Sequence, residues 1–476
     1  MSLGSILAFI LTAILIRWAV PISLRKWALL ISSILAIYWM QPSTPIRYLD
    51  FWLPTATLAL AVFGWIFTDS KGNKSRKEDW LAGLILIVCV LLIAATRYIS
   101  ITGVLTPGRP PRIWAVGAVL VTLSVTAFVM WYWTHKKAEA VITGAILFLI
   151  ALFLVIKTPG LANAVSYVLR NFSGQSLERA SAFDIRWLGF SYVSFRLLHT
   201  IRDRQLGRLL DVTLPEYLVY IIFFPVFTAG PIDRVERFIA DLRTPTKMSA
   251  DDLGIGGKRL FVGMFKKFVI ADSLALFALS EQNAMQVKHT AWLWVLLYAY
   301  AGLIYFDFSG YSDIAIGLSG LLGIRMPENF NRPYLKPNLT QFWNNWHITL
   351  TMWFRAYFFN PITRSLRRNH KELKPWVVIL ITQISTMVLI GFWHGVTWNF
   401  IIWGIWHGIG LFIQNRYSEW LKNKNLLWFK QPKFDKLLAA FNIILTFNYV
   451  AIGWIWFALP TPEISVHVFR QLFNLL

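Results

Sequence analysis

Four long apolar runs, residues 3–20, 80–95, 113–133 and 141–156, constrain this chain more than any other feature. Each approaches the roughly 20 residues that an α-helix needs to cross a bilayer's hydrocarbon core. No water satisfies backbone N–H and C=O groups there, so spanning structures are helices or closed barrels, and runs of this length are helices. Of the 476 residues, 56% are hydrophobic and 15% charged, against about 25% charged in soluble domains. The chain reads as an all-α polytopic membrane protein. The first run has no charged segment before it, and apolar segments follow at once, so a span is expected there rather than a secretory signal.

The net charge of +22 raises nucleic acid as a partner. The distribution argues otherwise. Lys and Arg lie in short connections between apolar runs, where they set orientation and meet anionic headgroups. No basic helix or RNA-binding signature is present. The single cysteine, Cys89, excludes an intrachain disulfide and a cysteine metal cluster.

Residues 1–160 read as about six spans and are expected to form a transmembrane scaffold, with residues 161–476 as the catalytic core. Connections carrying Arg17, Arg25, Lys26, Lys71, Lys74, Arg76, Lys77, Lys136 and Lys137 outweigh the alternate ones, which carry Arg47, Arg97, Arg109 and Arg112. The positive-inside rule then places the N-terminus outside the cytoplasm. From about residue 180 the apolar runs shorten. Residues 223–231 and 305–313 carry Pro, Gly, Ser and Asp, so broken helices are expected at both. Such breaks persist at membrane depth only where protein or a wet cavity satisfies the backbone. Residues 325–345 read as an ordered polar loop and 346–359 as an interfacial or re-entrant helix. Spans are expected near 377–393, 398–413 and 437–459.

Two histidines stand in the tryptophan-rich part of this second half: His347, after Trp343, Asn344, Asn345 and Trp346, and His394, between Trp393 and Gly395. Ionisable groups are costly at membrane depth and default to function there. Imidazole exchanges a proton near neutral pH. For His394 the competing reading is an interfacial histidine beside an aromatic belt. Its neighbours Gly391 and Gly395 permit close backbone approach, and Trp393, Trp398 and Trp403 would wall it. For His347, packing and catalysis stand level. Asn344 and Asn345 offer amide groups for a substrate carbonyl or hydroxyl. His407 reads as structural. Asp307 and Asp313 would line a chamber or cap a helix. Arg332, Lys336, Arg355 and Arg364 bracket His347, fit to bind a phosphate or carrier protein or to mark the cytoplasmic face. No His-Glu-x-x-His pair, phosphate loop, Gly-x-Ser-x-Gly elbow or dinucleotide fingerprint occurs, so no metal site is expected.

Residues 305–323, 327–361 and 391–410 together resemble the membrane-bound O-acyltransferase superfamily. Gly230-Pro231-Ile232-Asp233-Arg234, with Gly189-Phe190-Ser191-Tyr192 and Ser194-Phe195-Arg196, resembles the branch that transfers D-alanine to teichoic acids. The alginate O-acetyltransferase branch is the near neighbour. The resemblance implies a helical ring around a transmembrane tunnel in a bacterial inner membrane. It implies His394 as the principal catalytic histidine and His347 as the second. Trp343, Trp393, Asn344, Asn345, Asn399 and Asp307 would meet substrate, and Arg355 and Arg364 would dock a carrier. The donor would be an acyl-phosphopantetheine thioester, on an acyl carrier protein or coenzyme A, with no bound cofactor. The acceptor would be a hydroxyl of an extracytoplasmic polymer or lipid-linked glycan. The competing functions are a glycan or lipid transporter or flippase, which shares broken helices, and a non-catalytic envelope scaffold.

Overall fold

The computed structural model describes residues 2–69, 77–99, 103–136, 138–287, 289–423 and 432–475. Among these residues every regular element is a helix. Among the described residues, eight helices are long and apolar enough to cross a bilayer. The protein is an all-α, multi-pass membrane protein. The basic connection carrying Lys71, Lys74 and Arg76 lies outside the described residues, as does Lys137. The chain packs into two compact units: residues 1–260 with 314–327, and residues 261–313 with 328–476.

In the first unit, α1 (Leu3–Ala19), α2 (Arg25–Met40), α3 (Leu49–Thr68), α4 (Lys77–Ala95), α5 (Ile113–Lys136) and α6 (Ala138–Lys157) supply the long apolar elements expected before residue 160. Then come α7 (Pro159–Phe172), α8 (Phe190–Gln205), α9 (Leu214–Ile222), α10 (Val235–Arg243) and most of α11 (Ala250–Met264). Apart from Glu216 in its first turn, helix α9 is built of apolar and aromatic residues, and all nine residues are buried, against α2, α3, α4 and α8. Its start is defined by polar groups. The Glu216 carboxylate accepts from the Thr213 N–H at 2.9 Å, and Asp79 accepts from the Leu214 N–H at 2.7 Å. These bonds satisfy N–H groups that a helix start leaves open.

After α9 the chain breaks as expected, into a 3₁₀ turn (Phe224–Val226) and a loop. Arg196, 1% exposed, donates to the carbonyls of Ile221 and Val226, both at 2.7 Å. A buried guanidinium thus satisfies carbonyls that the break frees.

The second unit takes in the end of α11 and the π-helical stretch (Phe265–Ala271) that continues it. It holds α12 (Asp272–Ala275), α13 (Glu281–Gln286), the larger part of α14 (Thr290–Leu321), α15 (Leu339–Asn345), α16 (Ile348–Phe354), α17 (Asn360–Asn369), α18 (Pro375–His394), α19 (Trp398–Asn423), α20 (Pro432–Ala458) and α21 (Pro462–Leu472). Two expectations are corrected here. Residues 305–313 do not break a helix. They lie inside α14, which runs unbroken for 32 residues. Their small and acidic residues serve packing instead. A Cβ on Gly310 would meet the Gly263 carbonyl at 2.8 Å and the Lys267 nitrogen at 2.9 Å. Lys266 pairs with Asp313 at 2.7 Å, and Lys267 pairs with Asp307. The polar stretch 325–345 also ends earlier than expected, because Asn338 accepts from the Gln341 N–H at 2.8 Å and starts α15.

Helices α18 and α19 form the most extensive helix pair. Gly391, Gly404 and Gly408 make this possible. Cβ atoms there would meet the Phe400 carbonyl at 2.2 Å, Val388 Cα at 2.6 Å and Ile384 Cα at 2.8 Å. Small residues four apart, as at 404 and 408, let membrane helices pack backbone to backbone.

Candidate active site

His347 sits between α15 and α16 with φ 43° and ψ 55°. That left-handed conformation is uncommon for a residue with a Cβ and persists only where the surroundings impose it. They do so through the loop before α15. The Ile348 N–H donates to the Asn329 carbonyl at 2.9 Å, and the Asn331 N–H donates to the Asn345 carbonyl at 3.1 Å. The Asn329 side chain completes the hold. Its Oδ1 lies 3.0 Å from His347 Nδ1 and accepts from the Thr349 N–H at 3.3 Å and hydroxyl at 2.9 Å.

This network fixes the histidine's tautomer. A backbone N–H can only donate, so the atom facing Thr349 is the amide oxygen. That oxygen can only accept, so His347 Nδ1 carries the proton. In the neutral ring Nε2 is then a bare acceptor. It is buried and has no hydrogen-bond partner among the described residues. His347 is 3% exposed, and burial disfavours the imidazolium.

His394 is the last residue of α18 and half-buried. Its ring is packed by Trp393 at 4.4 Å and Phe457 at 4.7 Å, and by Phe400 and Trp403, both at 5.8 Å, between ring centroids. Trp393 also lies 5.9 Å from the His347 ring, which meets Phe308 edge-on at 4.6 Å. Both histidines line one cavity of about 40 Å³, walled by Phe308, Trp343, Trp346, Trp403, Trp454 and Phe457 among others. The indole N–H groups of Trp343 and Trp403 are buried without an acceptor among the described residues. The cavity has room for a reacting centre or roughly two to three waters. Two imidazoles, one of them carrying a bare acceptor, and two indoles carrying spare donors line it.

Comparison with known proteins then decides the family. Residues 111–455 match the model of the membrane-bound O-acyltransferase family. The chain belongs to the membrane-bound O-acyltransferase family. This acyltransferase is 35% identical over 288 residues to a teichoic acid D-alanyltransferase of Streptococcus thermophilus, covering 58% of this chain and 68% of that protein. It is 32% identical over 293 residues to a probable alginate O-acetylase of Azotobacter vinelandii, covering 60% and 54%. It is 32% identical over 262 residues to a peptidoglycan O-acetyltransferase of Helicobacter pylori, covering 55% and 47%.

Of the acyltransferase's sequence-predicted site residues, the structure brings His347, His394 and Trp343 onto the cavity, with Trp393 against both imidazoles. The others are engaged elsewhere. Asn344 is exposed and accepts from Arg355 at 2.5 Å. Asn345 donates to the Gln341 carbonyl within α15 at 2.8 Å. Asn399 is buried and donates to the Leu459 carbonyl at 2.6 Å and the Ser465 hydroxyl at 3.1 Å. Asp307 is held by Lys267. Trp398 is 70% exposed, and Phe400 and Phe457 take the place expected for it beside His394. Arg355 and Arg364 are exposed. His407 is fully buried against Trp343 and Trp403, at 5.1 and 5.0 Å, behind the cavity wall. Sequence reasoning missed Asn329, Phe308 and Phe457. Asn329 was visible only as one amide in an Asn-rich loop.

Among the described residues, no group of three or more His, Cys, Asp or Glu is placed to hold a metal ion.

Proposed function

We propose that this acyltransferase moves a D-alanyl or acetyl group from a phosphopantetheine thioester to a hydroxyl of an extracytoplasmic polymer or lipid-linked glycan in the bacterial inner membrane. One observation carries the reading: two imidazoles with opposed surroundings share one small aromatic cavity. His394 acts as general base. It takes the proton of the acceptor hydroxyl as that oxygen attacks the thioester carbonyl. The tetrahedral oxyanion collapses, the C–S bond breaks, and the leaving thiolate recovers the proton from His394. A thioester is already activated, so no acyl-enzyme is required. The spare N–H groups of Trp343 and Trp403 suit the oxyanion. Neutral His347 does not, because its Nε2 only accepts, and the Asn345 amide is already bonded within α15.

His347 Nε2 instead suits a donor on the substrate. A D-alanyl group brings an ammonium, which aromatic walls also favour; an acetyl group brings no such donor. The activities for which the relatives are named, D-alanyl transfer to teichoic acid and O-acetylation, bracket the same two choices. Exclusion of bulk water from an aromatic cavity limits thioester hydrolysis. The decisive assay mixes purified enzyme with labelled D-alanyl-carrier thioester and, separately, acetyl-coenzyme A. Transfer from the carrier is expected. Transfer from coenzyme A alone, without carrier binding, removes the D-alanyl reading.

A further inference from the structure

A cationic pocket in the first unit lies where the last turn of α1 turns back into α2. Its cavity measures about 510 Å³ and is lined by Arg17, Trp18, Val20, Ile22, Arg25 and Lys247, among others. Arg17 and Arg25 are 3% and 8% exposed. Both guanidiniums donate to the Thr246 carbonyl, Arg17 Nε at 3.3 Å and Arg25 Nη1 at 2.5 Å. Two buried cations therefore lie side by side.

Their commitments differ. Arg17 works as a staple. Its other N–H groups reach the carbonyls of Gly320, Leu321 and Lys247, the Thr246 hydroxyl and the Asp252 carboxylate. Arg25 bonds to the carbonyls of Val20, Thr246 and Arg17, using one N–H from each nitrogen. A guanidinium has five N–H groups, so two on Arg25 stay uncommitted among the described residues. Lys247 stands exposed at the rim. Asp252 answers Arg17 at 2.9 Å and leaves Arg25 and Lys247 unanswered. Like charges this close, partly removed from water, are costly until an anion joins them.

The surroundings say which anion. Trp18 is 79% exposed, Leu24 53% and Ile22 43%. An exposed tryptophan with aliphatic side chains at a helix end is the signature of the bilayer interface. A soluble anion has no use for that apolar rim, whereas a phospholipid places phosphate and glycerol at this level and its chains alongside the helix.

We propose that this pocket binds the phosphate headgroup of an anionic phospholipid, with Arg25 and Lys247 as direct ligands and Arg17 holding the 246–248 loop in place. The test uses the full chain in discs of phosphatidylcholine alone or with phosphatidylglycerol, read by native mass spectrometry and thermal unfolding. Phosphatidylglycerol is expected to stay bound and raise the unfolding temperature. Lys247→Gln and Arg25→Gln should each weaken its retention by about fivefold, the factor expected for one basic group at an anionic headgroup, with unfolding in pure phosphatidylcholine nearly unchanged for Lys247→Gln. Because Lys247 is exposed, its variant separates lost binding from lost folding. Undiminished phosphatidylglycerol retention in Lys247→Gln and Arg25→Gln would overturn the site. Stabilisation by inorganic phosphate equal to that by phosphatidylglycerol, and lost in the same variants, would overturn the lipid assignment.

Discussion

His347 and His394 share a cavity but differ in their surroundings. Asn329 fixes one ring as an acceptor through a bond of 3.0 Å. Aromatic rings enclose the other. Replacing His394 with Ala should abolish transfer while membrane insertion and unfolding temperature stay near the parent's. Retained turnover within about tenfold of the parent, a barrier change of roughly 1.4 kcal/mol, would remove it as the base. Asn329→Asp tests the second histidine. A carboxylate beside Nδ1 favours the imidazolium and raises the pKa of His347. Nε2 then carries a proton over a wider pH range and ceases to accept. The acid limb of kcat/KM should move to higher pH in Asn329→Asp, whereas Asn329→Ala should lower the rate without that displacement. A limb that stays in place in a folded Asn329→Asp protein would show that His347 Nε2 is not used. Both histidines were legible in the sequence as candidates because an ionisable group at membrane depth is costly without a use, although packing stood level with catalysis for His347. Asn329 was not, because it lies 18 residues from His347 in the chain and only the fold brings the pair together.

Apolar length and short connections made the long helices of the first unit readable. Polar residues inside helices misled where packing, rather than a break, was their purpose. Asp307, Gly310 and Asp313 looked like a helix interruption, yet they buy close contact with the π-helical stretch and its two lysines. The break at 223–231 was read correctly because Pro225 and Pro231 cannot donate to a helix, and Arg196 supplies the compensation. A comparable buried charge secures α7. Arg170 and Asp184 pair at 2.8 Å with both side chains almost fully buried. Burial alone would raise the Asp184 carboxyl, but hydrogen bonds from Arg170 and Ser166, with the Arg170 charge, hold it below its ordinary value. A lowered carboxylate pKa stabilises the fold above the unfolded value of about 3.9, and that contribution is lost as pH falls through the folded value. Thermal unfolding in detergent should therefore fall more steeply below about pH 4 in the parent than in Asp184→Asn. Arg170→Ala, which strands a buried carboxylate, should cost roughly 3–5 kcal/mol at neutral pH. Parallel pH curves for parent and Asp184→Asn would mean the pair contributes nothing.

For the whole protein, the excess of 46 Lys and Arg over 24 Asp and Glu acts through where the charge is presented. In the second unit, Arg355 follows the short α16 directly, and Arg364, Arg367 and Arg368 are exposed along α17. Arg355 is tied to Asn344, within a few residues of His347, so its reversal would disturb the site as well as the surface. Arg364 and Arg367 are the cleaner probes. Carriers of phosphopantetheine thioesters are acidic, and complementary charge speeds encounter more than it tightens the final complex. Salt of physiological strength screens exposed charges beyond about 8 Å. If the proposed acyl carrier docks here, reversing Arg364 and Arg367 to Glu should slow its association several-fold at low salt and much less at high salt, with kcat at saturating carrier nearly unchanged. Stopped-flow association at a series of salt concentrations measures this directly. A loss equal at every salt concentration would point to a local packing effect on α17. No loss at low salt would place the proposed carrier on another face, without bearing on the role proposed for His394.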